Sequence, residues 1–193
     1  MNLLEQLRAA TGEAHEALHH HRLLAPLASD AVTLDDYRYA LLAFDAFYQA
    51  MEPQPLPSSA PVREWLSRDL EAQGLKPLDL GIGMPAIASE SALWGYLYVK
   101  QGSTLGGSVM SKTLRRALGL QPLIDQRFFA GYGDQNGAEW KKFIENLFVK
   151  APSLRPADTV HMAVASFQAI ADVCDAVLAL KDAHALQAPT ATE

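Results

Sequence analysis

The chain holds one cysteine, Cys174, among 193 residues. A single thiol excludes an intrachain disulfide and a cysteine-rich zinc site, and it fits a reducing compartment. Basic residues are in the minority too. Lys and Arg number 16 against 22 Asp and Glu, giving a formal charge of −6. Nonspecific nucleic-acid binding needs dense cationic patches that neutralise phosphates, so no nucleic-acid partner is expected. Long apolar runs are also missing. Lys, Asp or Gln interrupts them every few residues, so none approaches the ~20 residues of a membrane-spanning helix. The opening MNLLEQLRAATGEAHEALHHH lacks the basic-then-apolar order of a signal peptide. The closing LQAPTATE reads as neither a lipidation signal nor a tail anchor. These absences predict a soluble, cytoplasmic protein with no membrane partner. There is no strand-like alternation, no solenoid-period repeat and no low-complexity linker.

What is present is helical periodicity in a chain of ordinary globular composition, 49% hydrophobic and 20% charged. Leu3, Leu4, Leu7, Ala10, Ala14 and Leu18 recur at three- and four-residue steps and form one stripe. Thr33 before Leu34-Asp35-Asp36 predicts a capped helix start, and that helix must end before Pro53. A third helix is expected from Pro61 to about Gln73, followed by a loop to Pro85. Ser89 caps a long pattern that reaches Leu118, with Gly119 as its terminator. A short helix over 122–129, another over 137–149 and a last one from Pro156 to about Lys181 complete the expectation. The fold class is all-α: a single-domain bundle of roughly six or seven helices over residues 1–184, with a mobile tail over 185–193.

Two features are unusual. The first is a histidine cluster, His15, His19, His20 and His21. His15 and His19 share a helical face, and His15 lies one step from the apolar stripe. A buried histidine satisfied by one hydrogen bond is the ordinary reading, and a metal ligand is the sharper one. His15-Glu16-Ala17-Leu18-His19 also matches H-E-x-x-H, the zinc-protease helix. The extended form of that motif needs Gly at 22 and His at 25, where this chain has Arg22 and Ala25. As a protease signature the match is a coincidence. A carboxylate-bridged di-iron bundle is a further alternative. Glu16-x-x-His19 supplies one of the pairs it needs, and Asp158-x-x-His161 is only an approximate second.

The second feature is Gly102, Gly106 and Gly107 inside a strong helical pattern. Each costs about 1 kcal/mol of helix preference against alanine. Close helix–helix packing would explain them, and so would a helix break at Gly106-Gly107. A phosphate loop would not, since Lys112-Thr113 lacks the glycine required at 111. The functional reading is a flat, bulky ligand pressed against bare backbone.

Taken together, these segments resemble the heme oxygenase family, most closely its compact bacterial members. Leu7-Arg8-Ala9-Ala10-Thr11-Gly12-Glu13-Ala14-His15 is similar to the family's L-[KR]-x-A-T-x-x-x-H. Gly102-Ser103-Thr104-Leu105-Gly106-Gly107 is similar to its distal-helix signature. Trp140-Lys141-Lys142-Phe143 and Ala165-Ser166-Phe167 resemble weaker landmarks, so the likeness covers nearly the whole chain.

The resemblance implies that His15 is the proximal iron ligand and that Gly102, Ser103, Gly106 and Gly107 form the distal side. It implies heme as both substrate and cofactor, dioxygen, and an external electron donor, either a protein or a small reductant. The products would be biliverdin, carbon monoxide and ferrous iron, with a biliverdin acceptor as a further partner. Ser103 stands where animal members carry an aspartate, and Glu145 where they carry an arginine. Arg8, Lys141 and Tyr98 are expected at the heme edge. His19 is expected one turn beyond the ligand, and Phe167 and Cys174 in the apolar pocket wall or the core. The alternative is a noncatalytic heme-binding or interaction protein on the same fold.

Overall fold

The computed structural model describes residues 1–53 and 59–187, with side chains to residue 183. Among the described residues six α-helices follow one another: α1 (Leu3–His19), α2 (Leu34–Met51), α3 (Val62–Ala72), α4 (Glu90–Leu118), α5 (Asn136–Lys150) and α6 (Pro156–Gln187). Among the described residues there is no strand, only an isolated bridge between Pro122 and Gln126. The fold is all-α, as the periodicity predicts.

Local chemistry sets the helix ends. Asn2 accepts from the Glu5 amide while the Glu5 side chain reaches back, a closed capping box that starts α1. Thr33 and Asp36 form the same device at α2. Ser89 accepts from the Ala92 amide to start α4. Gly119, at φ 73°, ends α4 in the left-handed conformation that an L side chain resists.

The expected short helix over 122–129 does not form. Leu123 sits at φ 65°, and the Asp125 carboxylate accepts from the Gln121 amide. The amides of Arg127 and Phe128 donate to the Asp69 carboxylate instead of to helical carbonyls. Side chains have replaced the backbone ladder, so the segment is a series of turns. At the other end, α6 continues past Lys181 to Gln187. The tail expected from residue 185 is thus helical at its start, and 188–193 lie outside the described residues.

The α6 helix overturns a second expectation. Over 156–183 its hydropathy reaches 1.6, so it is long and apolar enough to cross a membrane. In the bundle it packs on α1, α2 and α4. A helix with neighbours on several sides needs apolar residues around much of its circumference. Ile170, Val173 and Val177 are accordingly buried.

At Gly95 the backbones of α4 and α6 lie against each other. A Cβ built there would lie 2.1 Å from the Thr159 carbonyl oxygen. No rotamer relieves a clash with backbone, so the two helices would have to separate. Gly95→Ala is therefore expected to lower unfolding free energy by about 1–3 kcal/mol in urea denaturation. An unchanged midpoint would show that the crossing is not constrained there.

Candidate functional site

A cavity of about 460 Å³ opens between α1 and α4. That lies within the ~300–1,000 Å³ range of small-molecule sites. Six α1 residues face it: Arg8, Thr11, Gly12, His15, Leu18 and His19. The 3.6-residue period places them on one flank of a helix whose other flank carries the buried Leu3, Leu4 and Leu7.

The His15 ring meets the edge of Phe167 at a centroid distance of 5.9 Å and the ring of His19 at 4.5 Å. Burial lowers its pKa from the ordinary 6.5. The nearby His19 pushes the same way, and Glu16 opposes both. His15 is thus held as the neutral imidazole, the form that keeps a lone pair for a metal. Neither the His15 nor the His19 ring makes a hydrogen bond among the described residues.

The opposite wall is the middle of α4, which is one uninterrupted helix through all three glycines. The helix break considered above does not occur. The glycines divide by role. A Cβ at Gly106 would meet nothing within 4 Å, and one at Gly102 only the Trp140 ring at 3.8 Å. Both leave bare backbone facing the cavity. At Gly107, however, a Cβ would lie 2.8 Å from the Phe129 carbonyl oxygen. Gly107 touches the cavity edge, but its hydrogen side chain is required by close packing against the 127–131 turns.

Behind this wall, α4 is held by a buried polar cluster. The Ser103 hydroxyl donates to the Lys100 carbonyl at 2.7 Å. Its one hydrogen is therefore committed, and the Tyr48 hydroxyl, 3.0 Å away, donates to Ser103 Oγ. Tyr48 is fully buried, and desolvation holds its phenol far above its ordinary range. One turn back, Lys100 Nζ pairs with Glu52 at 2.6 Å, with both residues at most 2% exposed. Tyr96 donates to the same carboxylate, and Lys100 also donates to Ser59. Burial lowers the Lys100 pKa, and Glu52 pulls it back. Removing one partner of such a pair costs about 3–5 kcal/mol, because the other charge stays buried. Sequence reading missed Tyr48, Glu52, Tyr96 and Lys100. The available signal was a lysine in the same helical stripe as Tyr96 and Val99, where an apolar residue is the norm.

The inner end of the cavity is closed by Phe44, Phe128 and Phe129. Their rings contact one another at centroid distances of 4.9–5.9 Å. The turn that carries Phe128 and Phe129 is fixed by Asp69 of α3, whose carboxylate accepts from the amides of Arg127 and Phe128 at 2.7–2.9 Å.

Most of the residues picked out in the sequence converge here. Arg8, His15, His19, Tyr98, Gly102, Ser103, Gly106, Gly107 and Phe167 all line the cavity. Two do not. Cys174 is 1% exposed in the helical core, where burial pushes its thiol up to about 12. Two further turns along α6 carry it past the cavity that Phe167 reaches. Lys141 points into solvent, its side chain 80% exposed, with Glu145 at 4.0 Å. Trp140, one residue earlier on α5, takes the cavity-facing position instead. The di-iron alternative finds no support, since the described residues contain no group of three or more metal-ligating side chains.

No family model matches the chain. It is similar to a protein named heme oxygenase from Xanthomonas campestris pv. campestris (strain 8004), with 34% identity over 125 residues. The match covers 64% of this chain and 64% of that protein's length. Two solved structures share the fold. The heme oxygenase of Neisseria meningitidis, solved with NO and CO bound, superposes with a TM-score of 0.74 at 20% identity, covering 93% of each chain. Heme oxygenase-1 of the cyanobacterium Synechocystis sp. PCC6803, in complex with heme, gives 0.64 at 16% identity, covering 98% of this chain and 100% of that one. The chain therefore has the heme oxygenase fold.

Asp69 supplies a pH test of the inner wall. Burial raises its pKa from 3.8 to about 6, against the pull of the Phe128 and Arg127 amides. The folded protein thus holds this proton more tightly than the unfolded chain does. The stability it contributes is fully present below about pH 4 and is lost as pH rises through about 6, a change of about 3 kcal/mol. Wild type should therefore lose stability relative to Asp69→Asn across that window in urea melts. Parallel pH profiles for the two proteins would contradict this.

Proposed function

We propose that this protein is a heme-degrading monooxygenase. The carrying observation is that the neutral imidazole of His15 and the bare backbone at Gly102 and Gly106 face each other across one apolar cavity. A flat ring with a central metal fits such a slot: a nitrogen donor on one side, no side chains on the other. The open space above Gly106 and the lack of a hydrogen bond to the His15 ring among the described residues support that fit. The Xanthomonas relative and the two fold neighbours support it independently.

When bound, heme supplies an iron centre that activates dioxygen, with electrons from an external donor, for opening of its own macrocycle to biliverdin, carbon monoxide and ferrous iron. The chain's own groups hold and orient. His15 would hold the iron through a ring nitrogen. Gly102 and Gly106 would let the α4 backbone lie close to a bound ring and so limit the space left for an incoming diatomic. Ser103 has given its hydrogen to Lys100 and accepts from Tyr48, so its remaining lone pair orients the hydrogen of a water in the cavity. Phe44, Phe128 and Phe129 exclude bulk water from the inner end. Arg8 and Tyr98, at the cavity margin, offer a cation and a phenol to the carboxylates of a porphyrin. The electron donor is a reductase protein or a small reductant, and a biliverdin acceptor follows as a partner. A cytoplasmic location fits the single, buried, reduced cysteine.

Purified protein should bind one equivalent of hemin with a Soret band. His15→Ala should weaken that binding more than about tenfold, which is ~1.4 kcal/mol. Ascorbate or a reductase should then convert the wild-type complex to biliverdin, detected by chromatography. Hemin binding without turnover would make the protein a heme carrier and overturn the enzymatic reading. Gly106→Ala gives a second, independent test. Alanine at an unobstructed helical position stabilises by up to about 1 kcal/mol. The variant should melt no lower than wild type yet bind hemin more weakly. Unchanged hemin affinity would mean that the ring does not lie against α4.

A further inference from the structure

Of the H-E-x-x-H pattern of α1 only His15 has a place in the proposed reaction, yet the fold puts both imidazoles side by side. His15 and His19 occupy successive turns of one helix face, and both line the cavity. Their ring centres are 4.5 Å apart, with planes inclined at 76°. Two histidines at i and i+4 on one face are the standard two-point chelate for a zinc-like ion. Metal–imidazole nitrogen distances of about 2.0–2.1 Å require two rings to lie close together, as these do, with the side chains turning to aim one nitrogen of each at the ion. Neither ring is engaged in a hydrogen bond among the described residues, so both nitrogens are available. Imidazole donors select late divalent ions over Mg²⁺ or Ca²⁺.

The glutamate of the pattern does not join them. Glu16 is turned away, paired with His20 at 3.0 Å and 69% exposed. No third protein ligand is present among the described residues. Without a base at the metal and without a third anchor, the pair has none of the equipment of a hydrolytic zinc site. What remains is a binding site with solvent completing the coordination.

We propose that His15 and His19 form a two-imidazole site for a late divalent transition-metal ion in the porphyrin-free protein. The site itself stands on the two rings. Its further consequence rests on the reading of His15 as the axial ligand for heme: one nitrogen cannot serve both, so the ion and the porphyrin exclude each other. The ferrous iron released by heme degradation belongs to the class of ion that the pair would take.

The test is calorimetric titration of heme-free protein with Zn²⁺. Wild type should bind one equivalent, and His15→Ala and His19→Ala should each weaken it more than tenfold. His20→Ala, on the same exposed helix end, should leave it unchanged. Circular dichroism of each variant checks that α1 has folded. Zinc affinity unaffected by His19→Ala, or lost in His20→Ala, would place the ion elsewhere and overturn the site. Hemin titration of the wild type separates the two readings. Hemin binding with no zinc binding overturns the metal site and leaves the heme reading intact. Zinc binding at the pair with no hemin binding does the reverse. If both bind, saturating Zn²⁺ should slow hemin uptake, and unaltered uptake would refute mutual exclusion.

Discussion

A helix wall stripped of side chains can face a ligand only if it is held from behind. That constraint governs this structure. The middle of α4 presents Gly102 and Gly106 to the cavity, and glycine supplies neither packing nor helix preference there. The compensating contacts flank the bare stretch along the helix. Gly95 lets α4 lie directly on the Thr159 carbonyl, Lys100 is locked into the buried Glu52–Tyr96 cluster, and Gly107 seats against the Phe129 backbone. Three fixed points between residues 95 and 107 hold a weak helical segment in place. The bare stretch faces the cavity, and the close contacts around it hold it there.

The opposite wall works by a different principle. The α1 helix needs only an amphipathic stripe, because Leu3, Leu4 and Leu7 anchor it to the core and leave the adjacent flank free to carry donors. Helical periodicity then delivers Arg8, His15 and His19 to the same side without long-range contacts. The inner end depends instead on tertiary structure. Asp69, from α3, replaces the helical hydrogen bonds that 127–129 would otherwise need, and so sets where Phe128 and Phe129 stand. One carboxylate near neutral pKa thus supports a wall of the cavity from a distance.

This division explains what the sequence disclosed. Helix positions followed from periodicity and caps: Thr33, Ser89 and Gly119 marked their boundaries because capping is local chemistry. His15 and the α4 glycines were legible because each breaks a local rule, a histidine beside an apolar stripe and glycines inside a helix. The roles within the glycine group were not legible. Gly106 faces the cavity and Gly107 faces a turn some twenty residues on, and only the fold distinguishes them. The turns at 122–129 were read as a helix because nothing local announces that a distant Asp69 will capture their amides. Spacing leaves Cys174 open between the cavity wall and the core, and only the fold puts it in the core; Lys141 points into solvent because Trp140 takes the cavity-facing position of α5.

The central claim is that a porphyrin plane lies between the His15 imidazole and the backbone of Gly102 and Gly106. The most direct measurement is a crystal structure of the protein with hemin. The expected result is iron bonded to a nitrogen of His15, with the ring face against α4 at those two glycines. Iron held by another residue, or a ring lodged outside the slot between α1 and α4, would contradict it.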